Sequence, residues 1–171
     1  KSHQMSLSII IPTYNEEKTI SDLLTHLNKG LSHDSSSEIL VVDGGSLDNT
    51  VSVVEQLGIR CIRSTRKGRA AQMNIGAEQA RNNTLYFVHA DSLPPLSYVE
   101  DINEAINAGF ESGCYRYKFD SYPTPLLRIN AYCTRFNGIM CRGGDQTLFV
   151  TRKLFDELNG FNENYRIMED Y

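Results

Sequence analysis

The run Leu85-Tyr86-Phe87-Val88-His89-Ala90-Asp91-Ser92 constrains the fold more than any other stretch, being apolar until it meets a His and an Asp and then Pro94-Pro95. An apolar run of this kind, bounded by prolines, reads as a strand buried on both faces, which is the pattern of a parallel sheet covered by helices. Its carboxyl end then delivers His89 and Asp91 to the edge where open α/β sheets bind ligands. Asp also caps turns readily, so the strand end alone leaves Asp91 open between a ligand role and a turn role.

The preceding chain repeats the strand-then-helix pattern. Leu7-Ser8-Ile9-Ile10-Ile11 is β-branched and stops at Pro12, which has no N–H for a central ladder, so the first strand is expected to end there. Tyr14, Asn15 and Glu16 fall in the loop above it. Ile20, Leu23, Leu24 and Leu27 recur at helical spacing, and Gly30 is expected to close that helix. After the polar residues 32–37 come a buried strand at 39–43, Gly44-Gly45, a helix from about Asp48 to Gln56 ended by Gly58, and a strand at 59–62. Ala70, Met73, Ala77 and Ala80 trace the apolar face of a third helix. Such alternation with short loops predicts parallel strands joined by right-handed crossovers.

Past a helix marked by Val99, Ile102 and Ile106 and ended by Gly109, the pattern changes. Residues 115–119 alternate as a half-exposed strand, 122–125 form a loop, 126–137 a helix, 147–150 a strand and 152–158 a short helix before Gly160. The expected fold is therefore α/β, a mixed but mostly parallel sheet flanked by helices, in a single domain over residues 6–171. Lys1-Ser2-His3-Gln4 ahead of Met5 reads as a cloning remnant, and further residues are expected after Tyr171.

Charge and cysteines narrow the function classes. With 21 acidic against 17 scattered basic residues and a net charge of −4, the chain lacks a nucleic-acid footprint, so an anionic ligand must be held locally. Cys61, Cys114, Cys133 and Cys141 show neither C-x-x-C spacing nor the density of a disulfide scaffold. Reduced thiols in a cytoplasmic protein are expected. No apolar stretch reaches the ~20 residues of a membrane span, which leaves room for peripheral contact at the inner face of a membrane.

Three acids close strand ends along one expected edge: Glu16, Asp43 and Asp91. A dinucleotide fold also carries an acid after its second strand, but it needs G-x-G-x-x-G in the first turn, where this chain has Pro12-Thr13-Tyr14-Asn15-Glu16-Glu17. Phosphates must then be managed elsewhere, and an acid ending the central strand points to a divalent metal.

In these runs the chain resembles the inverting, family 2 glycosyltransferases of the GT-A fold. The matching segments are Ser8-Ile9-Ile10-Ile11-Pro12-Thr13-Tyr14-Asn15-Glu16, Val41-Val42-Asp43-Gly44-Gly45-Ser46 with Asp48-Asn49-Thr50, residues 68–77 around Arg69, His89-Ala90-Asp91, Gly143-Gly144-Asp145-Gln146 and Met168-Glu169-Asp170. Six segments in the family's order make a specific match, and they resemble most a bacterial subgroup with H-A-D, G-D-Q and M-E-D. The resemblance implies the Rossmann-like GT-A sheet of nucleotide-diphospho-sugar transferases and a nucleoside diphosphate sugar across the strand ends. Pro12, Tyr14 and Glu16 would lie near the nucleoside, Asp43 would accept from the base, and Arg69 would lie against the base or a phosphate. Asp91 would hold Mn2+ or Mg2+; where the family usually shows Asp-x-Asp this chain has His89-Ala90-Asp91, and an imidazole at His89 suits Mn2+ better than Mg2+. Asp145 and Gln146 would line the acceptor side, and Asp170, with Glu169 next, would be the catalytic base. The expected activity is metal-dependent transfer of one sugar to an acceptor hydroxyl of a glycan, lipid or small molecule. Two rival readings are a nucleotidyltransferase, whose glycine-rich basic signature after strand one is missing here, and a catalytically silent sugar-nucleotide binding module.

Overall fold

The computed structural model describes residues 6–31, 36–115 and 147–164. Its central strand β1, Leu7–Thr13, is buried at every position. Around it lie β2 (Glu38–Asp43), β3 (Arg60–Arg63), β4 (Thr84–Phe87), β5 (Ser112–Cys114) and β6 (Leu148–Thr151), in the spatial order β3-β2-β1-β4-β6-β5. Strands β1 to β4 are mutually parallel, and β6 enters antiparallel between β4 and β5. The sheet is thus mixed and mostly parallel. The chain winds outward from β1 to β3 on one side and then crosses back to β4 on the other. That reversal between β1 and β4 is the place where open α/β sheets leave a crevice above the carboxyl ends of the strands.

Helices cover both faces. The helices α1 (Ile20–Gly30), α2 (Thr50–Gln56) and α4 (Tyr98–Asn107) bury Ile20, Leu23, Leu24, Leu27, Val54, Tyr98, Val99 and Ile102 against Ile9, Ile11, Val41 and Tyr86. On the other face α3 (Arg69–Gln79) and α5 (Arg152–Glu157) cover Ile10, Leu40, Val42, Leu85 and Phe87. Alternate residues of β1 therefore feed two separate cores, as the period of two in a strand requires. Among the described residues no helix is long and apolar enough to cross a membrane, and Cys61 is a free thiol.

The structure departs from the sequence expectations at four places. Strand β1 runs through Pro12 to Thr13: Pro12 pairs with Val42 of β2, but the pairing with β4 stops at Ile10, so the proline lies past the end of that second ladder. Helix α1 does end at Gly30, but not through left-handed geometry; a Cβ there would lie 2.3 Å from Cε1 of Tyr98, so this glycine makes room for the ring. The buried face of α3 is Ala71, Gln72, Ile75, Gly76 and Ala77, while Ala70, Met73 and Ala80 are half-buried. The physical reason is Gly76, where a Cβ would come within 2.3 Å of the Ile10 side chain, so the helix seats on the sheet through a glycine that carries no apolar signal. Helix α2 starts at Thr50 rather than near Asp48, whose carboxylate accepts from the Thr50 N–H at 3.0 Å. A short strand, β5, precedes the expected one at 115–119, of which Tyr115 alone is described and lies outside any strand. Residues 116–119, the 122–125 loop, the 126–137 helix, Cys133, Cys141, Asp145, Gln146, Glu169 and Asp170 lie outside the described residues.

Candidate functional site

Because β1 to β4 run parallel, the loops that follow them open on one edge of the sheet. That edge gathers Tyr14, Glu16, Asp43, Arg69, His89 and Asp91. Tyr14 is 56% exposed and Asp91 is exposed, whereas His89 and Asp43 are buried and Glu16 and Arg69 are half-buried. Pro12 is buried within β1.

The first two loops are laced together by two similar relays. The Asn15 N–H donates to the Ser46 hydroxyl (2.9 Å), which donates to the Asp43 carboxylate. The Glu16 N–H donates to the Thr50 hydroxyl (2.8 Å), which donates to the Asp48 carboxylate. The Glu17 N–H reaches the other oxygen of Asp48 at 3.2 Å, and the Glu17 carboxylate accepts from the Asn49 N–H at 3.0 Å. Asn15 takes up left-handed backbone geometry, φ +57°, and its side-chain oxygen accepts the Leu47 N–H at 2.8 Å. Asn tolerates that geometry better than most residues. The consequence is chemical: the N–H groups of Asn15, Glu16 and Glu17 are all committed to the neighbouring loop, so the first turn offers no cradle of backbone donors for a phosphate.

Asp48 is held by this lacing. Its partial burial would raise the carboxyl pKa, but hydrogen bonds from the Thr50 hydroxyl and N–H and from the Glu17 N–H together bring it below the ordinary value. A depressed folded-state pKa means that the contribution of these bonds is full above the unfolded value and is lost as pH falls through the folded one. The Glu17 and Thr50 amide resonances should therefore titrate together with a midpoint below the ordinary carboxyl value of 3.8. A midpoint at or above that value contradicts the lacing.

Asp43 ends β2 and organises the next turn. One carboxylate oxygen accepts the N–H groups of Gly45 (2.9 Å) and Ser46 (3.0 Å), and the other accepts the Ser46 hydroxyl. A carboxylate has about four acceptor sites, so three donors leave one on Oδ1 for a further partner. The turn role is observed directly, and Gly45 supplies its positive φ of 96°.

Below the turn lies Gln72, a residue the apolar periodicity passed over. Its side-chain amide donates to the carbonyls of Thr13 (2.8 Å) and Val42 (2.7 Å), where β1 and β2 end, and the Gly44 N–H shares the Thr13 carbonyl at 2.8 Å. Without Gln72 the Val42 carbonyl would keep only a long 3.5 Å bond from the Thr13 hydroxyl, and a buried carbonyl left short of a partner costs about 1–3 kcal/mol. Gln72 lies within the first turn of α3, which begins with Arg69, so the same contact anchors that turn at the ends of β1 and β2. Nearby in β3, the half-buried Cys61 thiol is pushed up to about 11 by burial and by the charges of Asp43 and Glu55, which keeps it un-ionised at neutral pH.

Across the switch point, the Val88 N–H continues the ladder to the Ile10 carbonyl at 3.0 Å, and the Ser92 N–H turns back to the His89 carbonyl at 3.1 Å. This turn places Asp91 outward. The loop is tied to the helical layer by His26, whose Nε2 lies 2.6 Å from the Pro94 carbonyl oxygen. Among the described residues no three of His, Cys, Asp and Glu converge as a metal cage. A lone exposed carboxylate does suit a divalent ion that arrives with a diphosphate and takes most of its ligands from phosphate oxygens and water. The donors at Asp91 and His89 fit that kind of site.

The remaining side of the edge is formed where the chain leaves β5 and enters β6. The Tyr115 hydroxyl donates to Asp101 at 3.0 Å, and the buried Tyr86 hydroxyl donates to the Thr147 hydroxyl at 3.2 Å. Asp145 and Gln146 immediately precede Thr147 in the sequence.

Comparison with known proteins agrees with this architecture. The S. aureus TarS structure in complex with UDP superposes with a TM-score of 0.75 at 21% identity over 95% of this chain and 52% of that one. The mannosyltransferase PcManGT from Pyrobaculum calidifontis, solved with GDP-Man and Mn2+, gives 0.72 at 20% identity over 95% of this chain and 49% of its own. These likenesses establish a GT-A glycosyltransferase fold. In sequence, the chain is 33% identical over 93 residues to the poly(ribitol-phosphate) beta-N-acetylglucosaminyltransferase TarS of Staphylococcus aureus, covering 51% of this chain and 16% of that protein. It is 31% identical over 110 residues to the dolichol-phosphate mannosyltransferase of Pyrococcus furiosus, covering 61% and 31%. It thus spans less than half the length of either relative. The family model described as glycosyl transferase family 2 matches residues 8–155, from β1 into α5, and the chain belongs to that family.

Proposed function

We propose that the chain is the catalytic core of an inverting, metal-dependent glycosyltransferase, acting as one domain over residues 6–171 in the cytoplasm or at the inner face of a membrane. Within the family it belongs with the bacterial subgroup marked by H-A-D, G-D-Q and M-E-D. The observation that carries the reading is the division of labour at the edge. The backbone donors of the first turn are spent on the neighbouring loop, while the exposed Asp91 stands at the switch point. A nucleoside therefore belongs over β1 and β2 and a diphosphate at the end of β4. Structural neighbours solved with UDP and with GDP-Man and Mn2+ support a nucleotide-sugar donor.

In this reading Tyr14 and Glu16 flank the nucleoside on the floor formed by Pro12, the free acceptor site of Asp43 takes a base N–H, and Arg69 lies against the base or a phosphate. Asp91, with His89 behind it, holds Mn2+ or Mg2+, which when bound offsets the charge that gathers on a departing diphosphate. Asp145 and Gln146 line the acceptor side. Asp170 removes the acceptor proton, with Glu169 as the alternative, as the acceptor oxygen bonds to the anomeric carbon and the bond to the diphosphate breaks on the opposite face. The test is incubation with a panel of UDP- and GDP-sugars and Mn2+ while following diphosphate release. Turnover is expected for at least one donor. Tight binding with no release identifies a silent binding module.

Asp43 offers a separate check, because its turn and base contacts can be divided. Asp43→Asn keeps an acceptor oxygen for the Gly45 and Ser46 N–H groups and changes the charge presented to the base. Nucleotide affinity should fall about tenfold to hundredfold, on the 1–3 kcal/mol scale of a lost buried hydrogen bond, with the metal requirement unchanged. Calorimetry showing unaltered affinity confines Asp43 to the turn.

A further inference from the structure

Asn74 lies in the second turn of α3, and its side-chain amide is engaged by a distant part of the chain. Its oxygen accepts the Phe161 N–H at 2.9 Å, and its nitrogen donates to the Phe161 carbonyl and to the Glu163 carboxylate, both at 2.9 Å. Thus one side chain reads both backbone groups of one residue, as a neighbouring strand would. Gly160 allows the approach: it takes φ +70°, and a Cβ there would lie 2.7 Å from the Asn74 oxygen.

The direction of the chain gives this contact its meaning. Strand β6 runs antiparallel to β4 and ends at Thr151, opposite Thr84, at the edge of the sheet away from the site. Helix α5 turns back from there along the face of α3. The Phe155 ring stacks on Phe87 at 5.6 Å, and Phe161 meets Phe87 edge-on at 5.0 Å and 85°. Phe87 is the last residue of β4, so by Phe161 the chain has climbed back to the level at which Val88, His89 and Asp91 leave the sheet. Glu163 is held a second time by Arg66 of the β3–α3 loop at 2.7 Å, an exposed ion pair of small energetic weight beside the amide contacts. Past Asn164 the sequence continues through Tyr165-Arg166-Ile167 to Met168-Glu169-Asp170.

We infer that Asn74 is a positioning residue for the transfer reaction. By fixing Phe161 against the helix that begins with Arg69, it sets the point from which the segment bearing the proposed base departs. Arg69 and the departure point of that segment are then carried by one helix. The inference rests on the transferase reading above.

The test compares wild type, Asn74→Ala and Glu163→Gln. It measures turnover across UDP- and GDP-sugars with Mn2+, affinity for UDP with Mn2+, and hydrogen exchange at the Phe161 amide. In Asn74→Ala, Phe161 exchange should rise at least about tenfold and turnover fall about tenfold to hundredfold, while UDP affinity stays within about twofold. Glu163→Gln preserves an acceptor for Asn74 and should remain within about threefold of wild type in turnover. Unchanged Phe161 exchange, unchanged turnover, or a parallel loss of UDP affinity in Asn74→Ala overturns the inference. If wild type turns over no donor, the transferase reading fails and the catalytic part of this inference with it, and the exchange measurement still decides whether Asn74 holds Phe161.

Discussion

Asp170→Asn should lower turnover by about 10²–10⁴-fold, the usual worth of general-base assistance, and leave donor affinity nearly intact. Inversion requires a carboxylate facing the anomeric carbon from the side opposite the diphosphate, and the substitution keeps the side chain's size while removing its basicity. The surrounding fold bears on this expectation. Phe161 and Glu163 are held on α3 by Asn74, so the chain leading to Asp170 starts from a fixed point beside the carboxyl end of β4. A variant that keeps more than about a tenth of wild-type turnover transfers the role to Glu169 or Asp145. Donor affinity that falls with turnover assigns Asp170 to the donor pocket. Paired acids also favour a helix N-terminus, and in that case the variant would show a small loss of stability and little change in rate.

Asp91→Ala should abolish the metal-dependent part of donor affinity, an effect of about a hundredfold or more, since charge stabilisation by a bound metal is worth several kcal/mol. Asp91 is exposed, and its side-chain contact is a long 3.4 Å hydrogen bond from Ser92, so removal of the carboxylate should leave the fold unchanged. Calorimetry of UDP binding with and without Mn2+, on both proteins, reads the difference. Equal metal dependence in the two removes Asp91 from the site. His89 gives a finer comparison: if it contacts the metal, His89→Ala should weaken Mn2+-supported binding more than Mg2+-supported binding.

Much of this fold was legible because buried parallel strands announce themselves as apolar runs. The stretch ending at Asp43 became β2, while of the run that leads to Asp91 only the part up to Phe87 became β4 and Asp91 falls in the loop beyond it, and the alternation of strand and helix gave their common direction. Their position at one edge followed from that direction alone. The face of α3 was misjudged because it packs through Gly76 and Gln72, neither of which contributes to apolar periodicity. Gln72 and Asn74 sit inside the run that carried the resemblance, yet their partners lie 30 to 89 residues away in sequence and, apart from the Glu163 carboxylate, are backbone groups. No local pattern marks such a contact. Pro12 misled in the other direction, since a proline's cost to a ladder depends on whether a neighbour is present at that level, and β4 has already ended there. For Asp43 the sequence left a turn and a base contact open, and the observed bonds fill the turn role while leaving one acceptor site.

The central claim is that the nucleoside and the diphosphate are handled by different parts of this edge. A crystal structure of the protein with a nucleoside diphosphate sugar and Mn2+ tests it most directly. The account predicts the base beside Tyr14 and Asp43 over the ends of β1 and β2, the diphosphate and metal at Asp91, and the N–H groups of Asn15, Glu16 and Glu17 still bonded to Ser46, Thr50 and Asp48. A diphosphate seated on those three N–H groups, with Asp91 remote from the metal, would contradict it.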